Sequence, residues 1–292
     1  MIGFSLSPGG LLLPYHLGVL AALSYHGHLT PETHLAGSSA GAIAVASHAA
    51  NVAPHVALEA SMRISAQCNP FFLARGGLMP SLQQELNELL PTNAEHIVNE
   101  RPGIVGMAHL ELFPKRQPIL ATQSFESREA LIDAVCASSM FPYFTSNKPF
   151  HVVGRPGSPL ARVVVDGVFT EPLWRFGCPN LLKTRCGDDE GGRRGAHNLD
   201  RTVCISVFPK ELVGLGWTNN GGGRISSTGR LNNDRGVISP PLQVNNMLGQ
   251  ISRLGLLMCT PGSRKDLKRV YEDGWKDGER WVKDEEATTF HK

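Results

Sequence analysis

Apolar runs of strand length alternate with longer amphipathic segments along most of the chain. Strand-like runs occur at residues 1–6, 33–36, 104–112, 118–123, 162–165 and 201–208. Helical periodicity occupies the intervening segments, at residues 15–26, 42–50, 54–67, 81–90, 127–136, 242–259 and 265–283. Because strands and helices alternate throughout, the pattern predicts a layered α/β fold rather than an all-β or helical one.

Two polar stretches interrupt this pattern without dividing it. Residues 186–200 and 214–236 are rich in glycine, charged residues and asparagine, and both are typical of surface loops. Neither stretch resembles a linker between domains. We therefore expect a single domain over residues 1–285, followed by a C-terminal tail over 286–292.

Composition and charge exclude several classes of function. The net charge is +2 and only 18% of the 292 residues are charged, so the chain lacks the basic surface that nucleic-acid binding requires. Pro14, His16 and Gly18 interrupt the longest apolar run, and no apolar run is long enough to span a bilayer. The six cysteines show no CxxC spacing, so we expect neither a metal site nor a cofactor.

The strongest chemical signal is the pentapeptide GSSAG at residues 37–41, which fits G-x-S-x-G with Ser39 at its centre. A strand-like run precedes it and a run of small residues follows it. A serine on such a strand-to-helix turn has its hydroxyl lifted clear of the sheet and placed at a helix N-terminus. The pattern predicts that Ser39 is a nucleophile; the alternative is a helix cap without chemistry.

A serine nucleophile needs an oxyanion site and a base. The loop at Gly9 and Gly10 follows the first strand, so backbone N–H groups there, together with that of Ala40, are candidates for the oxyanion site. Asp166 ends a β-branched run, which places its carboxylate at the carboxyl end of a strand, where α/β active sites lie. Asp166 is therefore the candidate base, although an Asp-Gly pair is also common in turns.

Taken together, these segments resemble the patatin-like phospholipase family. Four blocks carry the resemblance: the glycine-rich loop and helix of residues 5–23, GSSAG, ASSMFPYF at residues 137–144, and VDGV at residues 165–168. YEDG at residues 271–274 is similar to an element that lies late in the family's sequences. The resemblance covers residues 2–276 and implies a three-layer sandwich with a central, mostly parallel sheet.

The resemblance also implies a function. Family members act on lipid acyl esters through a Ser–Asp dyad without a catalytic histidine. Carried over, Ser39 attacks the ester and forms an acyl-serine, Asp166 accepts its proton, and the N–H groups near Gly9 and Gly10 hold the oxyanion. We therefore expect a serine ester hydrolase that degrades glycerolipids, of phospholipase A or lipase type, with no cofactor and no metal.

Two other functions stay open at this stage. Pro8 and Leu13 stand where the family usually has glycine, and proline has no N–H to donate, so a lipid-binding or scaffold protein with little activity is the first alternative. The second is an α/β-hydrolase with a Ser–His–Asp triad, for which only His197 and His291 follow Asp166. The lipid class, the acyl position and the balance of hydrolysis and acyl transfer do not follow from the sequence.

A lipid substrate implies contact with a membrane or lipid-droplet surface. We expect an intracellular protein, cytoplasmic or organellar, that meets such a surface peripherally. Candidate contacts are an apolar rim formed by residues 71–73, residues 77–79 and Phe141, and a basic helix face with Lys265, Lys268 and Arg269.

Overall fold

The computed structural model describes residues 1–68, 77–154, 161–172, 175–181, 199–211 and 236–289. Eight strands are present in this part of the chain: β1 (Ile2–Leu6), β2 (Leu35–Ser38), β3 (Val105–Phe113), β4 (Gln117–Ala121), β5 (His151–Val153), β6 (Arg162–Val165), β7 (Arg201–Ile205) and β8 (Val237–Ile238). The helices are α1 (Leu13–Tyr25), α2 (Ala40–Ala49), α3 (Pro54–Gln67), α4 (Leu78–Leu89), α5 (Ala94–Asn99), α6 (Arg128–Ser138), α7 (Met247–Cys259) and α8 (Arg264–Thr289).

The strands form one mixed sheet with helices packed against it. Following hydrogen-bonded neighbours, the order is β5-β6-β3-β2-β1-β7-β8, and β4 pairs with β3 outside this path. The pairs β1–β2, β2–β3, β1–β7 and β7–β8 are parallel. The predicted α/β class with a mostly parallel sheet is therefore confirmed.

Strands β2 and β6 meet end to end along one edge of β3. Met107 pairs with both β2 and β4, so these two strands lie on opposite sides of β3. Leu110 pairs with both β4 and β6, so β6 lies on the same side as β2. Because β2 runs parallel to β3 and β6 runs antiparallel to it, their carboxyl ends face each other. The residues that follow these ends, Ser39 and Asp166, are thereby brought together.

Helix α8 fixes the helix that follows the glycine-rich loop. A side chain at Gly18 would come within 2.1 Å of the Tyr271 carbonyl oxygen, and one at Gly274 within 2.2 Å of the Tyr15 carbonyl oxygen. The two helices therefore approach backbone to backbone. Inside this contact the buried Tyr15 hydroxyl donates a 2.9 Å hydrogen bond to Asp277. Burial raises the pKa of Asp277 to about 6.

The element boundaries depart from the predictions mainly where elements are short. Strands β5 and β8 and helix α5 were not predicted, because two, three or six residues carry too little periodicity. The C-terminal helix continues to Thr289, past the predicted start of a tail at residue 286. Most of the two predicted polar loops lies outside the described residues.

Candidate active site

Ser39 lies on a sharp turn between β2 and α2. Its φ angle of 54° is a left-handed conformation that L-residues rarely adopt. A side chain at Gly37 would come within 2.3 Å of the Gly41 backbone, and one at Gly41 within 2.7 Å of the Leu6 carbonyl oxygen. Both glycines of the motif are therefore required by the close packing of the turn.

The glycine-rich loop lies beside this turn. Strands β1 and β2 are parallel neighbours, with Leu6 opposite Gly37. A side chain at Gly9 would lie 3.6 Å from the Cβ of Ala40, so the loop and the start of α2 are in contact. The backbone N–H groups of Gly9, Gly10 and Ala40 bond to none of the described residues. The three predicted donors thus lie on segments that contact each other, and none of them is bonded to another described residue.

A buried histidine of α1, His16, contacts the backbone just before the glycine-rich loop. The Nε2 of His16 lies 2.8 Å from the carbonyl oxygen of Ser7, to which it donates. Burial lowers the pKa of His16 to about 4, so the ring is neutral near pH 7. His16 could not be connected with the loop from the sequence alone, because the contact depends on how α1 packs against residue 7.

Asp166 is buried immediately beside Ser39. Its Oδ1 accepts a 2.8 Å hydrogen bond from the Val168 N–H. Burial raises its pKa from 3.8 to about 7, while the hydrogen bond from Val168 and the neighbouring Ser39 hydroxyl lower it. The buried Oδ2 atom accepts no hydrogen bond from the described residues, so the Ser39 hydroxyl is a neighbour of the carboxylate without being bonded to it. Such loose contacts are common before substrate binds.

Asp166 directly follows the carboxyl end of β6, as expected from the sequence. The direction of this strand was not predicted: β6 runs antiparallel to β3. Asp166 arrives from the opposite direction to Ser39. The position follows from the length of β3, which extends beyond the end of β2 and pairs with β6 there.

The end of α6 holds both residues in place. The Ser39 N–H donates a 3.0 Å hydrogen bond to the Ser138 Oγ, and the Asp166 N–H donates a 2.9 Å bond to the Met140 carbonyl. These residues belong to the ASSMFPYF block, to which we had assigned no structural role. Ser138 is therefore a positioning residue that the sequence reasoning missed, since its partner lies 99 residues away.

Ser39 and Asp166 open into a cavity of about 630 Å³. Its walls are mostly apolar, with Ile43, Ile64, Leu82, Phe144 and Met258 among the lining residues. Gly9, Gly10 and Ala40 line the same cavity, so it contains all five predicted site residues. A largely apolar cavity of this size, with Ser39 and Asp166 in its lining, can hold a hydrocarbon chain whose ester group lies at Ser39.

The remaining site predictions concern a catalytic histidine and the apolar rim. No histidine lines the cavity in the part of the chain that the structure describes, and His197 and His291 lie outside that part. Of the predicted rim, residues 71–73 also lie outside it, and Leu78 and Met79 are buried in the core. Among the described residues of the predicted rim, Phe141 lines the cavity and remains 41% exposed, and Leu78 also lines the cavity.

Within the described ranges, no helix combines the length and the apolarity needed to cross a bilayer.

Comparison with known proteins agrees with the resemblance seen in the sequence. The crystal structure of VipD from Legionella pneumophila matches 97% of this chain with 12% sequence identity and a TM-score of 0.43, and the match spans 66% of VipD. No curated protein matches the chain. The profile of the family described as patatin-like phospholipase matches residues 4–174, more than half of the chain and a range that includes Gly9, Ser39 and Asp166. The chain therefore belongs to the patatin-like phospholipase family.

Proposed function

We propose that this protein hydrolyses fatty-acyl esters of glycerolipids through an acyl-serine intermediate on Ser39. Members of its family are generally acyl hydrolases. The observation that carries the proposal is that Ser39 and the buried Asp166 are neighbours and that both line a large apolar cavity. A nucleophile, a base and a hydrocarbon site are the three parts that lipid ester hydrolysis needs.

The first half-reaction follows from this geometry. The Ser39 Oγ attacks the ester carbonyl carbon while Asp166 accepts the hydroxyl proton. The negative charge on the carbonyl oxygen is stabilised by the N–H groups of Gly9, Gly10 and Ala40, and by the N-terminus of α2. The tetrahedral intermediate then collapses: the C–O bond to the alcohol breaks, and Asp166 returns its proton to the leaving oxygen.

Water completes the cycle in the second half-reaction. Asp166 takes a proton from water, the hydroxide oxygen attacks the acyl carbon, and the ester bond to Ser39 breaks. Asp166 then protonates the Ser39 oxygen and the fatty acid leaves. A carboxylate with an ordinary pKa would be a weak base for these steps, whereas burial gives Asp166 a pKa of about 7.

Pro8 does not remove a donor that this site needs. Proline has no N–H, but the N–H groups of Gly9, Gly10 and Ala40 bond to no described residue, and all three residues line the cavity together with Ser39. Loss of one such donor in other hydrolases costs about 3 kcal/mol of transition-state stabilisation. Three remaining donors therefore favour an active enzyme over the alternative of a lipid-binding or scaffold protein.

Hydrolysis of a short p-nitrophenyl ester tests the proposal. We expect turnover by the wild type and loss of at least about 10³-fold in kcat/KM in Ser39→Ala, since the nucleophile is removed. Ser146→Ala, a change of the same size outside the cavity, is the matched control. Equal turnover in wild type and Ser39→Ala would leave the scaffold alternative instead.

We also propose that the enzyme meets a membrane or lipid-droplet surface through α7. Within this helix only Leu257 is buried, although most of its residues are apolar, and Leu248 and Leu256 are 74% and 60% exposed. Met258 of the same helix lines the cavity. Because the exposed side chains lie on the helix that borders the cavity, a lipid surface that covered them would bring its esters close to Ser39.

Vesicle flotation tests this contact. We expect Leu248→Ser with Leu256→Ser to lose vesicle association while turnover of a water-soluble ester is kept. Val56→Ser, at an exposed apolar site on α3, is the control. Unchanged flotation of the α7 variant would exclude this surface. Contact of this kind agrees with the expected intracellular, membrane-peripheral location.

A further inference from the structure

A group of five side chains separates the active-site cavity from a second, much smaller cavity. Each of them lines both spaces; they are Leu13, Ile43, Ser61, Ile64 and Leu82. We call this group the partition. All of its members except Ile43 are buried, and they come from α1, α2, α3 and α4. The partition is therefore a wall built from several helices rather than one movable side chain.

The two cavities follow each other along α2. Ser39 precedes the helix, Ile43 of the partition comes one turn later, and Ser47 lines the second cavity only. Ser47 lies eight positions after Ser39, which corresponds to a rise of about 12 Å along the helix axis. A chain attached to Ser39 and running beside α2 would thus meet the partition first and the second cavity behind it.

The second cavity differs from the first in size. Its volume is about 10 Å³, which is room for about one water molecule. Most of its lining residues are apolar; Ser47, Ser61 and Glu85 are polar. The Oγ of Ser47 has no hydrogen-bond partner among the described residues, and the Glu85 carboxylate accepts hydrogen bonds from Arg63 at 2.7 and 3.0 Å. A space this small has no room for a further length of hydrocarbon chain.

We propose that the partition is the end wall of the acyl site and sets the longest fatty-acyl chain that the enzyme accepts. This inference rests on the proposed function. A chain gains free energy as long as it contacts apolar walls, and it stops where the space behind the partition is too small for another methylene group. Leu82 and Ile64 are the members that can be shortened with least effect on the chemistry, because Leu13 follows the oxyanion loop and Ile43 lies one turn from Ser39.

Chain-length profiles of truncated variants test the end wall. We compare kcat/KM for p-nitrophenyl octanoate, dodecanoate and hexadecanoate in wild type, Leu82→Ala and Ile64→Ala. Truncation of Leu82 makes room for about three methylene groups. Each buried methylene changes kcat/KM by about fourfold, so the dodecanoate to octanoate ratio should rise by about tenfold or more.

Leu86→Ala is the matched control. Leu86 lines the second cavity but not the first, so its truncation enlarges the far space and leaves the partition intact. We expect its chain-length profile to superimpose on that of the wild type. Thermal unfolding of each variant shows which proteins are folded. Ile64→Val, which removes one methyl group, replaces any truncation that fails to fold.

The outcomes separate the two proposals. If the wild type cleaves esters and the Leu82 and Ile64 variants shift toward longer chains while Leu86→Ala does not, the end wall is supported. If the wild type cleaves esters but all the profiles superimpose, or Leu86→Ala shifts equally, the end wall is wrong and the proposed function stands. If the wild type cleaves no ester, the proposed function fails, and the end wall fails with it.

Discussion

Acidification is the perturbation that acts most directly on the proposed base. In this mechanism Asp166 accepts a proton only when it is ionised, and burial raises its pKa to about 7. We therefore expect activity to be lost as the pH falls below 7. An exposed aspartate with a pKa near 4 would remain ionised, and activity would be level down to about pH 5.

The magnitude follows from the change in pKa. Below pH 7 the ionised fraction of Asp166 falls about tenfold per pH unit, so kcat/KM at pH 5 should be about 100-fold below its plateau. Initial rates with a p-nitrophenyl ester at low substrate concentration give kcat/KM, which reports the pKa of the free enzyme. Far-UV circular dichroism at each pH shows that the protein remains folded.

The same pKa predicts a stability effect of opposite sign. A carboxyl group whose pKa is raised on folding stabilises the protein only while protonated, and this contribution is lost as the pH rises from about 4 to about 7. Ionised Asp166 thus costs about 4 kcal/mol at pH 8. Asp166→Asn stays neutral and keeps an acceptor for Val168, so it should raise the Tm at pH 8, raise it less at pH 5, and abolish activity.

Two results would refute this reasoning. One is a pH profile of kcat/KM that stays level down to pH 5. The other is an Asp166→Asn variant with the same Tm advantage, or none, at both pH values. Glu129→Gln removes an acidic group from an exposed site on α6 and is the control for general charge effects. Its activity should follow the wild-type profile.

Three further predictions concern the supports of the site. Gly41→Ala places a Cβ 2.7 Å from two carbonyl oxygens and should cost about 1–3 kcal/mol of stability and most activity, whereas Gly77→Ala, which meets nothing within 4 Å, should leave Tm unchanged. Ser138→Ala leaves the Ser39 N–H unpaired and should lower kcat by about tenfold or more, with partial rescue in Ser138→Thr. In urea unfolding, the His16→Leu variant should lose less stability than the wild type when the pH is lowered from 6.5 to 4. The reason is that His16 has a pKa of about 4 in the folded protein, so in this pH range it binds a proton only when the wild type unfolds. Equal effects at Gly41 and Gly77, full activity in Ser138→Ala, or parallel acid curves for His16→Leu would contradict them.

The turn at Ser39 could be predicted because the pentapeptide itself carries the signal. Gly37 is required by the backbone of Gly41 within the turn, whereas Gly41 is required by the carbonyl oxygens of Leu6 and Ser7 on the neighbouring segment. The strand before it and the small-residue helix after it are likewise visible in the sequence. The α/β class follows from periodicity in the same way.

What could not be predicted depends on contacts between distant segments. The direction of β6 is set by pairing with the far end of β3, more than 50 residues earlier. Ser138 gives no local sign that it accepts a hydrogen bond from Ser39. The start of α7 at Met247 rather than residue 242 reflects a 3₁₀ turn at Val244–Asn246, which periodicity does not distinguish from an α-helix.

Covalent labelling tests the central claim, that Ser39 is the nucleophile, most directly. The protein is treated with an alkyl fluorophosphonate, which reacts with activated serines, and the modified peptide is identified by mass spectrometry. Ser139 is the internal control, because it lines the same cavity and its buried Oγ has no partner among the described residues. We expect one adduct, on Ser39, that is lost in Ser39→Ala and kept in Ser139→Ala. An adduct on Ser139, or equal labelling of the Ser39→Ala protein, would contradict it.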